Sequence, residues 1–220
     1  MSTLFSSIGK KLQIAISGIF LVVFLLFHLI NNLVLFSGQE NFNNMVQFLE
    51  SIKPIIRIME FGLLLLLLIH TVNAIKLTIE NKKLSSSYAI NTRNQLSSLN
   101  SRTMAVSGSI ILIFIFIHLI YIWGTYQTHS FINQEETYYD VILRNDIGYL
   151  NHFPTATFYI ISILCIGFHL KHGFQSALKT FGILSGKKNK FLSFLGFLVW
   201  GIIPLGFITI ILSIQIGIIK

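Results

Sequence analysis

The chain has 220 residues, of which 53% are hydrophobic and 11% are charged, and its mean hydropathy is +0.73. Because about a quarter of the residues in a typical soluble domain are charged, this composition excludes an ordinary soluble enzyme and predicts an integral membrane protein. The single cysteine, Cys165, excludes an intrachain disulfide and a cysteine-ligated metal cluster within this chain.

Five apolar runs are long enough to cross a bilayer, which takes about 20 apolar residues per helix. They lie at 12–36, 55–76, 104–123, 154–178 and 191–219. Nearly all of the remaining sequence is short connection, so we expect an all-α bundle of five transmembrane helices that forms a single membrane domain over residues 1–220. Pro54 and Pro154 suit the starts of the second and fourth helices. The stretch 37–40, which opens the polar connection at 37–54, is interpreted as a loop.

The net charge of +8 is compatible with nucleic-acid binding, but the distribution of the basic residues argues for membrane topology instead. If the N-terminus is cytoplasmic, 12 of the 16 lysines and arginines fall on inner segments. The positive-inside rule therefore predicts a cytoplasmic N-terminus and an external C-terminus. The acidic residues Glu135, Glu136, Asp140 and Asp146 gather in the third connection, on the outer side.

Each of the first four apolar runs contains a histidine in its interior: His28, His70, His118 and His169. Ionisable side chains at such depth are costly and usually mark a functional site. With a rise of about 1.5 Å per residue, His28 and His118 share an outer level, and His70 and His169 share an inner level roughly 14 Å away. Two antiparallel pairs at matched depths predict metal or cofactor ligation.

Two imidazoles on opposite faces of a porphyrin saturate its iron and suit electron transfer, and a four-helix core can hold two such groups. A zinc or copper site would need three or four ligands at one depth, which the two levels do not provide. His172, three residues after His169, is an alternative ligand or a propionate partner. We favour His169 because it is deeper and better matched to His70. His129 and His152 are interpreted as solvated connection residues.

The first and third runs share a pattern in which a Ser-Gly pair precedes the histidine. Ser17-Gly18 precedes His28, and Ser107-Gly108 precedes His118, with 11 residues from serine to histidine in both. Glycine at such a position lets a bulky group approach the backbone, or serves helix packing. Possible propionate partners near the inner level are Ser17, Ser107, Arg102 and Lys179, although a structural role is favoured for each.

These motifs resemble a known family. The stretches concerned are 17–20 with 27–29, 69–72, 117–121 and 168–174. They are similar to the cytochrome b subunit of succinate dehydrogenase, within the five-helix, di-haem class shared with bacterial fumarate reductases. The resemblance covers essentially the whole chain. It implies two haems b, with His70 and His169 on the proximal haem iron and His28 and His118 on the distal haem iron.

The resemblance also implies a membrane anchor that carries electrons between an iron–sulfur subunit and menaquinone in the bacterial cytoplasmic membrane. The dicarboxylate chemistry would belong to partner subunits, including an FAD flavoprotein, and no residue of this chain would be catalytic. The basic inner surface suits docking of such partners.

Two positions depart from the quinol-oxidising fumarate reductases of this class. Those proteins carry a Glu two residues before the fourth-span histidine, where this chain has Gly167, and a carboxylate before the second span, where this chain has Asn43-Asn44. The departures favour succinate oxidation with quinone reduction. Glu50 and Glu60 are weak candidates for quinone protonation, and we favour solvated helix-end charges for both.

Two other functions fit part of the pattern. A di-haem quinol cytochrome of a hydrogenase, formate dehydrogenase or nitrate reductase would use the same histidine pairs, and only the motif order and the fifth helix argue against it. A transporter or proton channel would use the histidines as a relay, with acidic partners and broken helices in the spans. The span interiors lack Asp and Glu apart from Glu60, so this hypothesis ranks last.

Overall fold

The computed structural model describes residues 6–86, 99–131, 136–184 and 189–220, and every regular element within these ranges is a helix. Five helices are long and apolar enough to cross a membrane. They are Ser7–Ser37, Lys53–Lys83, Thr103–Thr128, Phe153–Thr180 and Lys190–Gln215, here called the first to fifth spans. The predicted all-α architecture with five spans is confirmed for the described part of the chain.

The ends of several spans differ from the sequence prediction. The first span begins at Ser7, because the Ser6 hydroxyl caps it by accepting from the Gly9 amide at 3.0 Å. The helix of the second span runs on to Ser86, well past residue 76. The fifth span ends at Gln215 rather than 219, where Gly217 takes a left-handed conformation (φ 75°) that stops the helix.

Two spans contain a wider π-helical segment. In the third span the α-helix Leu99–His118 passes into a π segment at Leu119–Gly124 and returns to α-helix at Thr125–Phe131. In the fifth span the π segment Leu198–Ile202 separates Lys190–Phe197 from Ile203–Gln215. π segments inside α-helices occur frequently at functional sites, and here the first of them directly follows His118.

The first connection is helical, so the interpretation of residues 37–40 as a loop is wrong for most of that stretch. Val34–Ser37 forms a 3-10 turn, Gly38 (φ 89°) redirects the chain, and a helix runs from Gln39 to Ser51. Most residues of the helix Gln39–Ser51 are polar, but Phe42 and Val46 lie one turn apart and are both buried. An amphipathic helix of this kind lacks the long apolar run by which a transmembrane helix is predicted from sequence.

One end of the bundle carries the connecting helix Gln39–Ser51, a short helix Tyr138–Ile142 and the C-terminus. The Tyr139 hydroxyl donates to the Lys220 carbonyl at 2.7 Å, and the Gln215 amide donates to the Leu150 carbonyl at 2.7 Å. We call this the outer end and the opposite end, with residue 7, the inner end, following the predicted orientation, which itself stays a prediction.

Most of the buried apolar core lies toward the outer end, where Leu35 and Val141 are almost fully buried. A separate, much smaller cluster toward the inner end contains Phe174, Leu178 and Val199. The second span packs chiefly on the first and the third on the fourth, while the first and fourth also pack on each other and on the fifth. The first and fourth spans therefore form the centre of the bundle.

Candidate cofactor site

The four span histidines meet in two pairs, and each pair joins two different spans. The rings of His28 and His118 have centroids 5.8 Å apart with an interplanar angle of 81°. The rings of His70 and His169 have centroids 6.4 Å apart with an angle of 60°. These are the pairs that the depths in the sequence predict, and we call them the outer pair and the inner pair.

The inner pair is oriented by hydrogen bonds, first at His70. Its Nδ1 lies 3.2 Å from both the Ser17 hydroxyl oxygen and the Ile14 carbonyl oxygen. The Ser17 hydroxyl donates its one proton to the Gln13 carbonyl at 2.6 Å, so toward His70 it accepts. Both neighbours of Nδ1 are then acceptors. His70 Nδ1 therefore carries the ring hydrogen, and the lone pair lies on Nε2.

The same arrangement recurs on the other half of the inner pair. His169 Nδ1 lies 3.2 Å from the Ser107 hydroxyl oxygen, and that hydroxyl donates to the Met104 carbonyl at 3.1 Å. His169 accordingly donates from Nδ1 and keeps its Nε2 lone pair available. An imidazole that donates from one nitrogen is fixed in the tautomer and direction that a metal needs at the other.

The glycines of the repeated pattern make room for these imidazoles. A Cβ atom on Gly18 would lie 3.3 Å from His70 Cε1, and one on Gly108 would lie 3.5 Å from His169 Cε1. Each Ser-Gly pair thus receives the histidine of the next span, and not the histidine of its own helix. The repeat was visible in the sequence, but the partner of each serine required the packing of the spans.

The outer pair is oriented by aromatic rings. Phe24 stacks on His28 at 5.4 Å with an angle of 14°, and Phe207 lies 5.6 Å from the same ring. Phe114 stacks on His118 at 5.7 Å, and Tyr159 lies 6.0 Å away. These rings enclose the outer imidazoles in an apolar wall on several sides.

The Nδ1 atoms of the outer pair have poorer hydrogen-bond partners than the Nδ1 atoms of the inner pair. His118 Nδ1 is buried and has no hydrogen-bond partner within the described residues. His28 Nδ1 lies 3.4 Å from the Asn32 amide nitrogen, which also donates to the His28 carbonyl at 2.7 Å. A buried polar atom without a partner costs about 1–3 kcal/mol and calls for a functional explanation.

Two-ligand pairs of this kind fit a haem better than a bare metal ion. No group of three or more His, Cys, Asp or Glu side chains that could hold a metal ion occurs within the described ranges. Metal–imidazole bonds are about 2 Å long, so two rings on opposite sides of one ion have centroids roughly 6 Å apart. Both observed separations are close to this value, and the inner pair has its Nε2 lone pairs free.

Other histidines singled out in the sequence lie elsewhere. The ring that pairs with His70 is that of His169, while His172 is half-buried near the inner end. His152 Nδ1 lies 2.9 Å from the Thr155 hydroxyl, which also accepts from the Gly148 amide, so His152 ties down the third connection. The side chain of His129 lies outside the described residues.

The predicted propionate partners divide into three cases. Ser17 and Ser107 are 1% and 9% exposed, and each bonds to an imidazole of the inner pair. Lys179 is exposed at the inner end of the fourth span. The side chain of Arg102 lies outside the described residues.

Both candidate carboxylates have partners at the outer end. Glu60 accepts from Arg57 at 2.5 Å and from the Trp123 indole at 3.1 Å, which links the second and third spans. Glu50 accepts from the Tyr126 hydroxyl at 2.9 Å. Burial, and then the negative charge of Glu60, raise the pKa of the Tyr138 phenol to about 12, so it stays a neutral hydrogen-bond donor beside this group.

The structure gives a physical reason for glycine at position 167. A Cβ atom there would lie 3.2 Å from the Trp200 carbonyl oxygen and 3.5 Å from Pro204 Cγ. The fifth span therefore packs closely on this glycine, and any side chain here would require the neighbouring atoms of the fifth span to shift by a few tenths of an ångström.

A groove of about 630 Å³ lies on the outer half of the third span, along the π segment after His118. Its lining combines apolar side chains with the Arg144 guanidinium and hydroxyl groups. The lining residues are Phe116, Leu119, Ile120, Trp123, Gly124, Thr125, Thr128, Arg144 and Tyr149. Arg144 is held by Glu136, whose hydrogen bonds raise the pKa of the guanidinium, and donates to the Tyr149 hydroxyl at 3.2 Å. The groove is shallow and open to the surface, and its volume lies within the range of small-molecule sites.

Comparison with protein families gives a match over part of the chain. Residues 13–92 match the model of a family described as the succinate dehydrogenase/fumarate reductase transmembrane subunit. This range contains the first two spans, with His28, His70 and the Ser17-Gly18 pair, and amounts to little more than a third of the chain. No curated protein and no solved structure matches the chain. The match supports a relationship to the transmembrane subunit of an oxidoreductase complex.

Proposed function

We propose that this chain is the di-haem cytochrome b subunit that anchors a succinate dehydrogenase in the bacterial cytoplasmic membrane. The observation that carries the proposal is the meeting of four histidines from four spans in two pairs at two levels. The family match over residues 13–92 and the similarity of the histidine motifs support the same assignment. The partners would be an iron–sulfur subunit and an FAD flavoprotein, which perform the dicarboxylate chemistry.

The chain's own residues would supply ligation, orientation and insulation. His70 and His169 would hold the proximal haem iron through Nε2, because Nδ1 of each donates to a serine. His28 and His118 would hold the distal haem iron within the aromatic wall formed by Phe24, among other rings. When bound, each haem b supplies a one-electron carrier without an open coordination position. Electrons would thus cross between the inner and outer ends.

We assign menaquinone to the groove beside the third span. The apolar residues that line the groove suit an isoprenoid tail, and Arg144 and Tyr149 supply polar groups for the quinone head. Phe116 and Leu119 line the groove and flank His118 in the sequence, so the groove lies along the same stretch of the third span as one member of the outer pair. Replacing Ile120 with Trp should block quinone reduction without changing haem content. Unchanged turnover in this variant would contradict the assignment.

Succinate oxidation is the favoured direction. Position 167 is a glycine packed closely on the fifth span, so the carboxylate that similar quinol-oxidising proteins carry near the fourth-span histidine is absent, and proton transfer of that kind has no residue there. The fumarate reductase direction of the same complex is the alternative. A di-haem quinol cytochrome of another respiratory complex uses the same pairs, but the family match favours the succinate/fumarate assignment.

The experiment that tests the proposal is a pyridine haemochrome assay with reduced-minus-oxidised spectra on the purified complex, titrated with succinate. We expect two haems b per chain, at least one of them reduced by succinate. Haem that succinate does not reduce would indicate another quinol cytochrome. Absence of haem would overturn the ligand assignments and favour a histidine relay.

A further inference from the structure

We infer that Ser17 and Ser107 are positioning residues that lower the reduction potential of the inner haem, with the larger effect from Ser107. The inference rests on the proposed function, since it assumes haem at the inner pair. It concerns the residues next to the ligands, and it follows from the direction of four hydrogen bonds.

The direction of each bond is fixed by the single proton of a hydroxyl group. Ser17 and Ser107 each donate to a carbonyl of their own helix, so each can only accept from the imidazole. A histidine that donates from Nδ1 becomes a more basic ligand at Nε2. More electron density on the iron favours the oxidised form over the reduced form, so the reduction potential falls.

The two serines are not equivalent. His70 Nδ1 has a second acceptor in the Ile14 carbonyl at 3.2 Å, which would remain after the loss of Ser17. For His169 the Ser107 hydroxyl is the hydrogen-bond acceptor observed at Nδ1. Removing Ser107 should therefore have the larger effect on the inner haem.

Packing alone does not explain the serines. Ser162, in the fourth span, is also fully buried, but its hydroxyl bonds to the Phe158 carbonyl of its own helix at 2.8 Å. A buried serine in this bundle is thus satisfied without an imidazole. Ser162 therefore provides a matched control, because its replacement removes a buried hydroxyl whose observed hydrogen bond goes to its own helix and to neither pair.

The outer pair provides an internal reference. Among the residues that the structure describes, neither His28 nor His118 donates to a serine, so the outer haem should not respond to the loss of Ser17 or Ser107. A shift confined to one of the two haems distinguishes a ligand effect from general loosening of the bundle.

The test uses the whole complex, including its partner subunits, with the variants Ser17→Ala, Ser107→Ala and Ser162→Ala. Spectroelectrochemical titration gives both midpoint potentials, and the haemochrome assay gives the haem content. We expect Ser107→Ala to raise one midpoint by up to about 59 mV, which is a tenfold change for a one-electron couple. Ser17→Ala should raise the same midpoint by less, and Ser162→Ala should change neither.

Several results would overturn the inference. The inference is wrong if Ser107→Ala binds two haems and leaves both midpoint potentials unchanged. It is also wrong if the midpoint potentials of both haems shift equally. If an alanine variant loses the inner haem, its midpoint potential cannot be measured. The variants Ser107→Thr and Ser17→Thr, which keep the hydroxyl, then test whether the hydroxyl sets that potential. Haem retained at the wild-type midpoint in the threonine variant supports the inference, and loss there contradicts it. Wild-type protein without haem would instead refute the proposed function.

Discussion

The inner and outer pairs solve the same problem, the orientation of an imidazole inside a membrane, by different means. Inner rings are held by directed hydrogen bonds from Nδ1 to serine, in a region with little buried apolar core. Outer rings are held by stacked aromatic side chains. They lie beneath a well-packed cap, formed by the helices Gln39–Ser51 and Tyr138–Ile142 and the C-terminus. A hydrogen bond fixes both direction and tautomer, whereas stacking fixes only the ring plane. The inner pair is therefore the more completely specified of the two.

The largest expected effect comes from removing a ligand of the inner pair. His169→Leu should abolish binding of the proximal haem and halve the haem content per chain, because one imidazole cannot saturate the iron. The haemochrome assay on purified complex measures this. His172→Leu, one turn along the same helix, is the control and should keep both haems. The opposite result for these two variants would transfer the ligand role to His172.

The next effect tests the space that the repeated glycines leave for the inner rings. Gly18→Val would push atoms against His70, because even a Cβ lies 3.3 Å from His70 Cε1. We expect haem affinity at the inner pair to fall by about tenfold or more, as for other losses of ligand support. Gly62→Val is the control, since nothing lies within 4 Å of its Cβ. Equal haem titration curves for the two variants would show that Gly18 does not contribute to haem binding at the inner pair.

A smaller effect tests aromatic orientation of the outer pair. Phe114→Leu removes the ring stacked on His118, an interaction of about 0.5–1.5 kcal/mol beyond area burial. During thermal denaturation followed at the haem band, the outer haem should be lost earlier while the inner haem is unaffected. Phe116→Leu, at an exposed position two residues along, should lose the outer haem at the wild-type temperature, whatever its effect at the groove that Phe116 lines. Earlier loss of the inner haem in the Phe114 variant would contradict the conclusion that aromatic stacking orients only the outer pair.

The smallest effect concerns the cap above the outer pair. Tyr139→Phe removes one hydrogen bond, to the Lys220 carbonyl, and should lower the free energy of unfolding by about 1 kcal/mol without changing haem content. Tyr121→Phe is a suitable control, because its hydroxyl makes no hydrogen bond within the described part of the chain. Denaturation midpoints provide the measurement. A change in the haem spectrum of the Tyr139 variant would show that the cap also orients the outer pair.

Apolar length and histidine depth predicted much of this architecture. The five spans follow from long apolar runs, and the pairs follow from counting residues along helices that alternate in direction. The helix Gln39–Ser51 was not predicted, because most of its residues are polar and few of them are buried. The π segment after His118 has no signal in the sequence that we recognise.

The serine bonds could not be predicted because they depend on rotation of one helix about its axis relative to its neighbour. Depth fixes a residue's level, but the azimuth of each span comes from packing of side chains across the bundle. The repeated Ser-Gly pattern marked the right residues and left their partner undetermined. The ligand assignments themselves stay predictions until haem is measured.

The repeated spacing makes the first and third helices into molecular rulers. Each has a histidine at the outer level and a serine that serves the inner level, 11 residues or about 16 Å apart on one face. Inserting a single residue between Ser17 and His28 would turn the two groups by about 100° relative to each other. No side-chain adjustment can restore both contacts after such a rotation. The register between these positions should therefore tolerate substitution of the intervening apolar residues far better than insertion or deletion.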